Sequence, residues 1–194
     1  MNVNSLSMFD AYWKVPVDPP HPNNDAVDFL FNAITPQVGS GIVQPVLEWN
    51  QLDSGRWTCR AWCVSGTDKF YSDPLYVSEG DEIQGLMSWN SWYNEWFICV
   101  TDTAANKQKY IYSDFVGDSN LEVYAALEGT YLQDNGDVPG DTTFYNMNLR
   151  DSNFNPAGDV TWVKWIDPSA SNYLTGLDVD IISNPDKVKL HTAN

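Results

Sequence analysis

Basic residues are scarce in this chain. Ten Lys and Arg face 26 Asp and Glu, for a formal charge of −16 and a pI near 4.1. Such a field repels phosphate backbones and anionic membrane surfaces, so neither nucleic acid nor a membrane is an expected partner. It suits solubility, and it also suits work in acid, where carboxylates neutralise and self-repulsion falls. Histidine is nearly absent: His21 lies in a proline-rich stretch and His191 near the C-terminus. A Ser-His or Cys-His nucleophile is therefore not expected. No G-x-S-x-G elbow, P-loop or H-E-x-x-H motif occurs, nor an EF-hand loop. Cysteine is limited to Cys59, Cys63 and Cys99, an odd number that cannot all pair. Cys59 and Cys63 fall on one apparent strand with Cα atoms roughly 13 Å apart, too far for a disulfide. With so few soft ligands, no metal or cofactor is expected. No run is long and apolar enough to span a bilayer, and no Asn-x-Ser/Thr acceptor is present. The first 22 residues lack the basic and apolar regions of a signal peptide. The expectation is an intracellular chain or a mature one with its leader removed.

What the chain has is aromatic surface and period-2 patterning. Apolar residues make up 43% and aromatics 14%, including nine Trp, enough for a well-buried core in 194 residues. Residues 1–25 read as an extended arm. Pro16, Pro19, Pro20 and Pro22 exclude helix there, while Phe9, Tyr12 and Trp13 offer anchors onto a sheet. Residues 26–194 read as one domain. Short apolar stretches at 26–34, 42–49, 56–64, 70–77, 82–88, 95–102, 108–115, 121–132, 141–149, 160–166 and 177–182 alternate with turn signals such as Asp53-Ser-Gly55 and Asn135-Gly136. No segment keeps a 3.6-residue period, and only 168–176 has room for a helical turn. The pattern predicts an all-β fold, a two-sheet antiparallel β-sandwich.

Alternation assigns faces. Val43, Leu47 and Trp49 form one side of their strand, with Ile42, Gln44, Val46 and Glu48 on the other. Leu121, Val123, Ala125 and Leu127 oppose Glu122, Tyr124 and Glu128. Trp57, Cys59, Ala61 and Cys63 oppose Thr58, Arg60 and Trp62. If the apolar sets face the core, one outer face collects Gln44, Glu48, Arg60, Trp62, Glu122, Tyr124 and Glu128. Amide, carboxylate, guanidinium and rings on one surface are the makings of a binding groove.

Several segments, in order, resemble the glutamic peptidases known as eqolisins. Gly41-Ile-Val-Gln-Pro-Val-Leu-Glu-Trp49 resembles the family's glutamine-bearing strand, and Val77-Ser-Glu-Gly-Asp-Glu-Ile83 its turn and following strand. Trp96 to Thr103, Ala126 to Tyr131 and Thr142-Thr-Phe-Tyr-Asn146 fall where later family segments lie. The resemblance covers about residues 27–150. It implies a concanavalin-A-like, jelly-roll type of sandwich and hydrolysis of peptide bonds in acid without a cofactor. Carried over, Gln44 corresponds to the catalytic glutamine and Glu128 to the catalytic glutamate. Arg60, Trp62, Glu48 and Tyr124 would then line the substrate groove. The chain departs from the pattern at Ala61, where the family has Glu, and at Gly129, where it has Trp. A groove that holds a glycan or a small apolar metabolite instead of a peptide is the alternative.

Each residue also has an ordinary reading. Glu128 taken alone is a solvated strand carboxylate. Gln44 precedes Pro45, which implies an edge or a bulge whose freed backbone the amide would bond. Arg60 beside Trp62 suits cation–π packing as well as substrate contact. Trp89, Trp92, Tyr93 and Trp96 read as a loop folded on the core, or as a stacking platform.

Overall fold

The computed structural model describes residues 6–37, 39–114, 121–157, 160–172 and 174–194. Two antiparallel sheets face each other. The strands are β1 (Leu6–Lys14), β2 (Val27–Pro36), β3 (Ile42–Trp49), β4 (Trp57–Ser65), β5 (Asp68–Tyr71), β6 (Leu75–Val77), β7 (Glu82–Asn90), β8 (Glu95–Asp102), β9 (Lys107–Ser113), β10 (Leu121–Thr130), β11 (Thr142–Asp151), β12 (Asp178–Ser183) and β13 (Lys187–His191). One sheet runs β12-β13-β11-β1-β7-β8-β9. The other runs β10-β2-β3-β4-β5, with β6 also paired to β4. Two short 3-10 turns, Asn135–Asp137 and Ala170–Asn172, are the only helical elements among the described residues. The all-β sandwich expected from alternation is the fold observed.

The expected inward rows are the core. Val43 and Leu47 of β3, Cys59, Ala61 and Cys63 of β4, and Leu121 and Val123 of β10 meet Phe9, Trp13, Ile83, Met87, Ile98 and Phe144 of the opposite sheet. The sheets approach most tightly at Gly85 of β7. A Cβ there would meet Asn32 Oδ1 at 2.3 Å and Pro45 Cγ at 2.6 Å. Asn32 uses the closeness, donating from Nδ2 to the Gly85 carbonyl at 3.1 Å.

Four elements differ from the sequence reading, the first being the expected 70–77 strand, which is split into β5 and β6 around residues 72–74. Leu6–Lys14 is not an arm but β1, inside the seven-stranded sheet between β11 and β7. Its alternation is clear, with Phe9, Ala11 and Trp13 buried, and the proline run that follows masked it. Only the stretch after it is an arm, crossing between the sheets and tied by Val15 to Gly80 and Asp81, Val17 to Gly140, and Asp18 to the Trp57 indole. Residues 160–166 form no ladder, although they are described. β13 is an additional short strand, Lys187–His191, paired with both β11 and β12. The expected turn at Gly117-Asp118 and part of that at Pro156-Ala-Gly158 lie outside the described residues, as does residue 115 at the end of the expected 108–115 strand.

Candidate functional site

The strand registers put the outer-face residues of the six-stranded sheet in cross-strand rows. Gln44 on β3 stands opposite Trp62 on β4, which stands opposite Tyr71 on β5. On the other side, the constant register of β2 with β3 and of β10 with β2 carries the same row through Ala33 to Tyr124. A second row holds Glu128, Phe29, Glu48 and Thr58. All six candidate residues therefore share one face, but they fall into different parts of it.

Pro45 explains the local structure at Gln44. It has no N–H to give, and the β2–β3 ladder passes from Phe31–Val46 to Ile34–Val43 without the pairs between. The register is the same on both sides of this gap, so there is no bulge, and β3 is central in the sheet, not at its edge. Gln44 is half-buried over the gap. Its Oε1 is buried without a partner, and its Nε2 donates no hydrogen bond among the described residues, so the amide does not bond the carbonyl freed by the proline. The floor around it is apolar: Phe31, Ala33, Val46 and Trp62 form a buried cluster with Ile42, Val64 and Ala126 against it.

Glu48 and Arg60 are committed to each other. Glu48 is 0% and Arg60 3% exposed. Arg60 Nε lies 2.9 Å from Glu48 Oε1 and its Nη2 2.8 Å from Oε2. The Trp62 indole N–H also donates to Glu48. Burial pushes the Glu48 carboxyl up, and the guanidinium, indole and Thr58 hydroxyl oppose that shift. The Arg60 guanidinium caps the packed Trp62 and Tyr71 rings, 4.6 and 4.4 Å from their centroids, which are 5.0 Å from each other. These three candidates build the floor of the face and leave little polar capacity for a ligand.

Tyr124 and the carboxylates of β10 form the remaining part. Tyr124 is exposed in the Gln44 row and donates to Glu122 Oε2 at 2.7 Å. Burial and this hydrogen bond push its hydroxyl up to about 12. Glu128 lies two rows from Gln44. Strand geometry puts their Cα atoms about 17 Å apart, against about 12 Å for Gln44 and Glu122. Gln44 and Glu128 thus share a face without meeting. Glu122, which alternation already placed on this face, is the β10 carboxylate nearer the amide. Its signal was its position two residues before Tyr124, readable only once strand register is known.

Other titratable groups lie elsewhere. Asp28 of β2 points into the core, 0% exposed, with neither carboxylate oxygen hydrogen-bonded. Burial, helped by the negative charge of Asp137, pushes its carboxyl up to about 8. His191 bridges Asp141 at 3.0 Å and Asp180 at 2.9 Å. No group of three or more His, Cys, Asp or Glu residues suited to a metal ion occurs among the described residues.

No protein-family model matches the sequence. No curated protein matches it either. Solved structures do. Scytalido-glutamic peptidase, determined with a peptide-based transition-state analogue, superposes with a TM-score of 0.70 over 99% of this chain and 95% of its own, at 13% identity. SCP-B, an eqolisin determined with the tripeptide Ala-Ile-His, gives a TM-score of 0.67 over 99% and 94%, at 12% identity. Aspergilloglutamic peptidase from Aspergillus niger gives 0.57 over 86% and 98%, at 16% identity. The chain thus has, along almost its whole length, the fold of the glutamic peptidases.

Proposed function

We propose that the protein hydrolyses peptide bonds in acid, on the outer face of the six-stranded sheet, with Gln44 as the amide that binds the developing oxyanion. The observation that carries this reading is the state of Gln44. It is a half-buried amide over a ladder gap, in an apolar floor, with its own carbonyl oxygen buried and unpartnered. An unmet buried polar atom costs on the order of 1–3 kcal/mol, a cost a bound donor would remove. A substrate N–H or an attacking water supplies that donor once the half-buried amide turns its Oε1 outward. The amide Nε2 then donates to the oxygen that becomes negative, where a pre-placed dipole in a dry site acts most strongly.

The general base is a β10 carboxylate. It takes a proton from water as the water attacks the carbonyl carbon, and returns it to the leaving amine. The resemblance points to Glu128. Register favours Glu122, held toward the Gln44 row by the Tyr124 hydroxyl. Neither step uses a metal.

The test is cleavage of a denatured protein at several acid pH values by wild type, Gln44→Ala, Glu122→Gln and Glu128→Gln. Gln44→Ala is expected to lower turnover by about 10²–10³. Glu122→Gln is expected to be at least as damaging, and Glu128→Gln to retain most activity. The reverse order for the two glutamates would assign the base to Glu128. No cleavage by wild type at any pH would discard the peptidase reading. The same face would then be read as a groove for a glycan or a small apolar metabolite. Cleavage that survives in all the variants would place the chemistry elsewhere.

A further inference from the structure

A cleft of about 680 Å³ opens where the sandwich is not closed, between the free edge of β10 and the segments 162–170 and 174–179. Its walls are mostly apolar and include Leu127, Leu132, Trp162, Leu174, Leu177 and Val179. The volume lies within the range of pockets that hold small organic molecules. Trp162 forms the inner wall, packed 6.2 Å from Phe9 and hydrogen-bonded through its indole to the Pro185 carbonyl. The outer wall carries Val163 and Trp165, which are 83% and 74% exposed. Large apolar side chains left in water beside an apolar cleft indicate a surface that an occupant covers.

Charge narrows the occupant. The basic side chains on the walls are already engaged: Lys164 pairs with Asp178, and His191 is bonded to Asp141 and Asp180. Glu128 lines the cleft from an exposed position with no hydrogen bond among the described residues, and partial desolvation raises its carboxyl. Asp167 and Asp178 add negative charge at the rim, within a chain of formal charge −16. An anion would find no free counter-charge here. An uncharged molecule with an N–H or O–H would find an acceptor in Glu128.

We propose that this cleft binds an uncharged, ring-bearing small molecule, with its apolar rings against Trp162, Leu174 and Trp165 and its hydrogen-bond donor on Glu128. Gln44 is not among the lining residues, and binding here does not depend on proteolysis.

Two fluorescent probes that share one skeleton test it. N-Phenyl-1-naphthylamine is neutral and has one N–H donor. 1-Anilinonaphthalene-8-sulfonate adds only a sulfonate anion. The intact chain is expected to bind one molecule of the neutral probe with enhanced emission, and the sulfonate at least about tenfold more weakly. Ala170→Trp fills the cleft, and Leu177→Asp puts a charge in its wall from a half-buried position. Each is expected to weaken the neutral probe by about tenfold or more. Glu128→Gln is expected to narrow the gap between the two probes. Trp92→Ser, which removes an exposed ring far along the β7–β8 hairpin, is expected to change nothing. Should Ala170→Trp fail to fold, Leu177→Asp decides alone. Equal binding of both probes, or neutral-probe binding that survives the cleft variants, would overturn the proposal.

Discussion

Single side chains in this protein divide into those that hold the fold and those left free to act, and burial separates them. Arg60 and Glu48 look like ligand-binding residues in the sequence because alternation places them on the outer face with Trp62. Alternation reports direction only. It carries no information on whether neighbouring rings will close over that face, and here Phe29, Trp62 and Tyr71 do. Removing one member of a buried ion pair leaves the other charged and unmet, at about 3–5 kcal/mol. Arg60→Ala is therefore expected to lower the free energy of unfolding by that order in urea titrations. A substrate-binding arginine would instead raise KM at unchanged stability. Asp28 gives a second expectation. Its carboxyl titrates near 3.8 in the unfolded chain and near 8 in the native one. The native state holds the extra proton between those values. Its contribution to stability is full below 3.8 and is lost as pH rises toward 8, by about 6 kcal/mol in all. Unfolding measured from pH 4 to 8 should show wild type losing stability that Asp28→Asn keeps. Parallel pH profiles for the two proteins would refute this.

At the scale of elements, strands were readable where apolar and polar residues alternate between turn signals, and β1 was missed because the proline run after it masked its alternation. β3 and β8 have the boundaries the pattern predicts, and the inward sets of β3, β4 and β10 are those observed. Pairing was not readable, because it joins residues far apart in the chain. The relation of Gln44 to Glu122 and Glu128 depends on the registers of β10 with β2 and of β2 with β3, so the site was legible as a face and not as a geometry. Pro45 shows the same limit. Its missing N–H was evident, but a gap in a central ladder and a bulge at an edge have the same sequence. Two expectations belong here. Gly85→Ala forces a methyl group against Asn32 and Pro45 of the facing sheet. It is expected to cost about 1–3 kcal/mol or more in denaturant unfolding, with no loss at exposed turn glycines such as Gly39 beyond their backbone strain. Cys59 and Cys63 sit on the same inward side of β4, and all three cysteines are free and buried. Denatured, unreduced protein is expected to titrate all three thiols, while native protein reacts slowly because burial raises each thiol.

For the molecule as a whole, the fold class followed from composition and periodicity, while the order of strands in each sheet did not. That order matters most for β1. It precedes every other described strand in the chain, yet it lies between β7 and β11, pairing Met8 with Ser88 on one side and Leu6 with Asp151 on the other. During synthesis on the ribosome, a strand bearing Phe9 and Trp13 therefore emerges long before either neighbour exists. The six-stranded sheet has the same difficulty, since β10 closes onto β2 only after the intervening strands are made. Such long-range pairing is slow, because loop closure must precede the contacts that reward it. The seven-stranded sheet cannot assemble around its central strand until most of the chain has left the exit tunnel. Synthesis in chain order thus leaves the described strands no early subset that completes the seven-stranded sheet, and Phe9 and Trp13 wait for both neighbours until late.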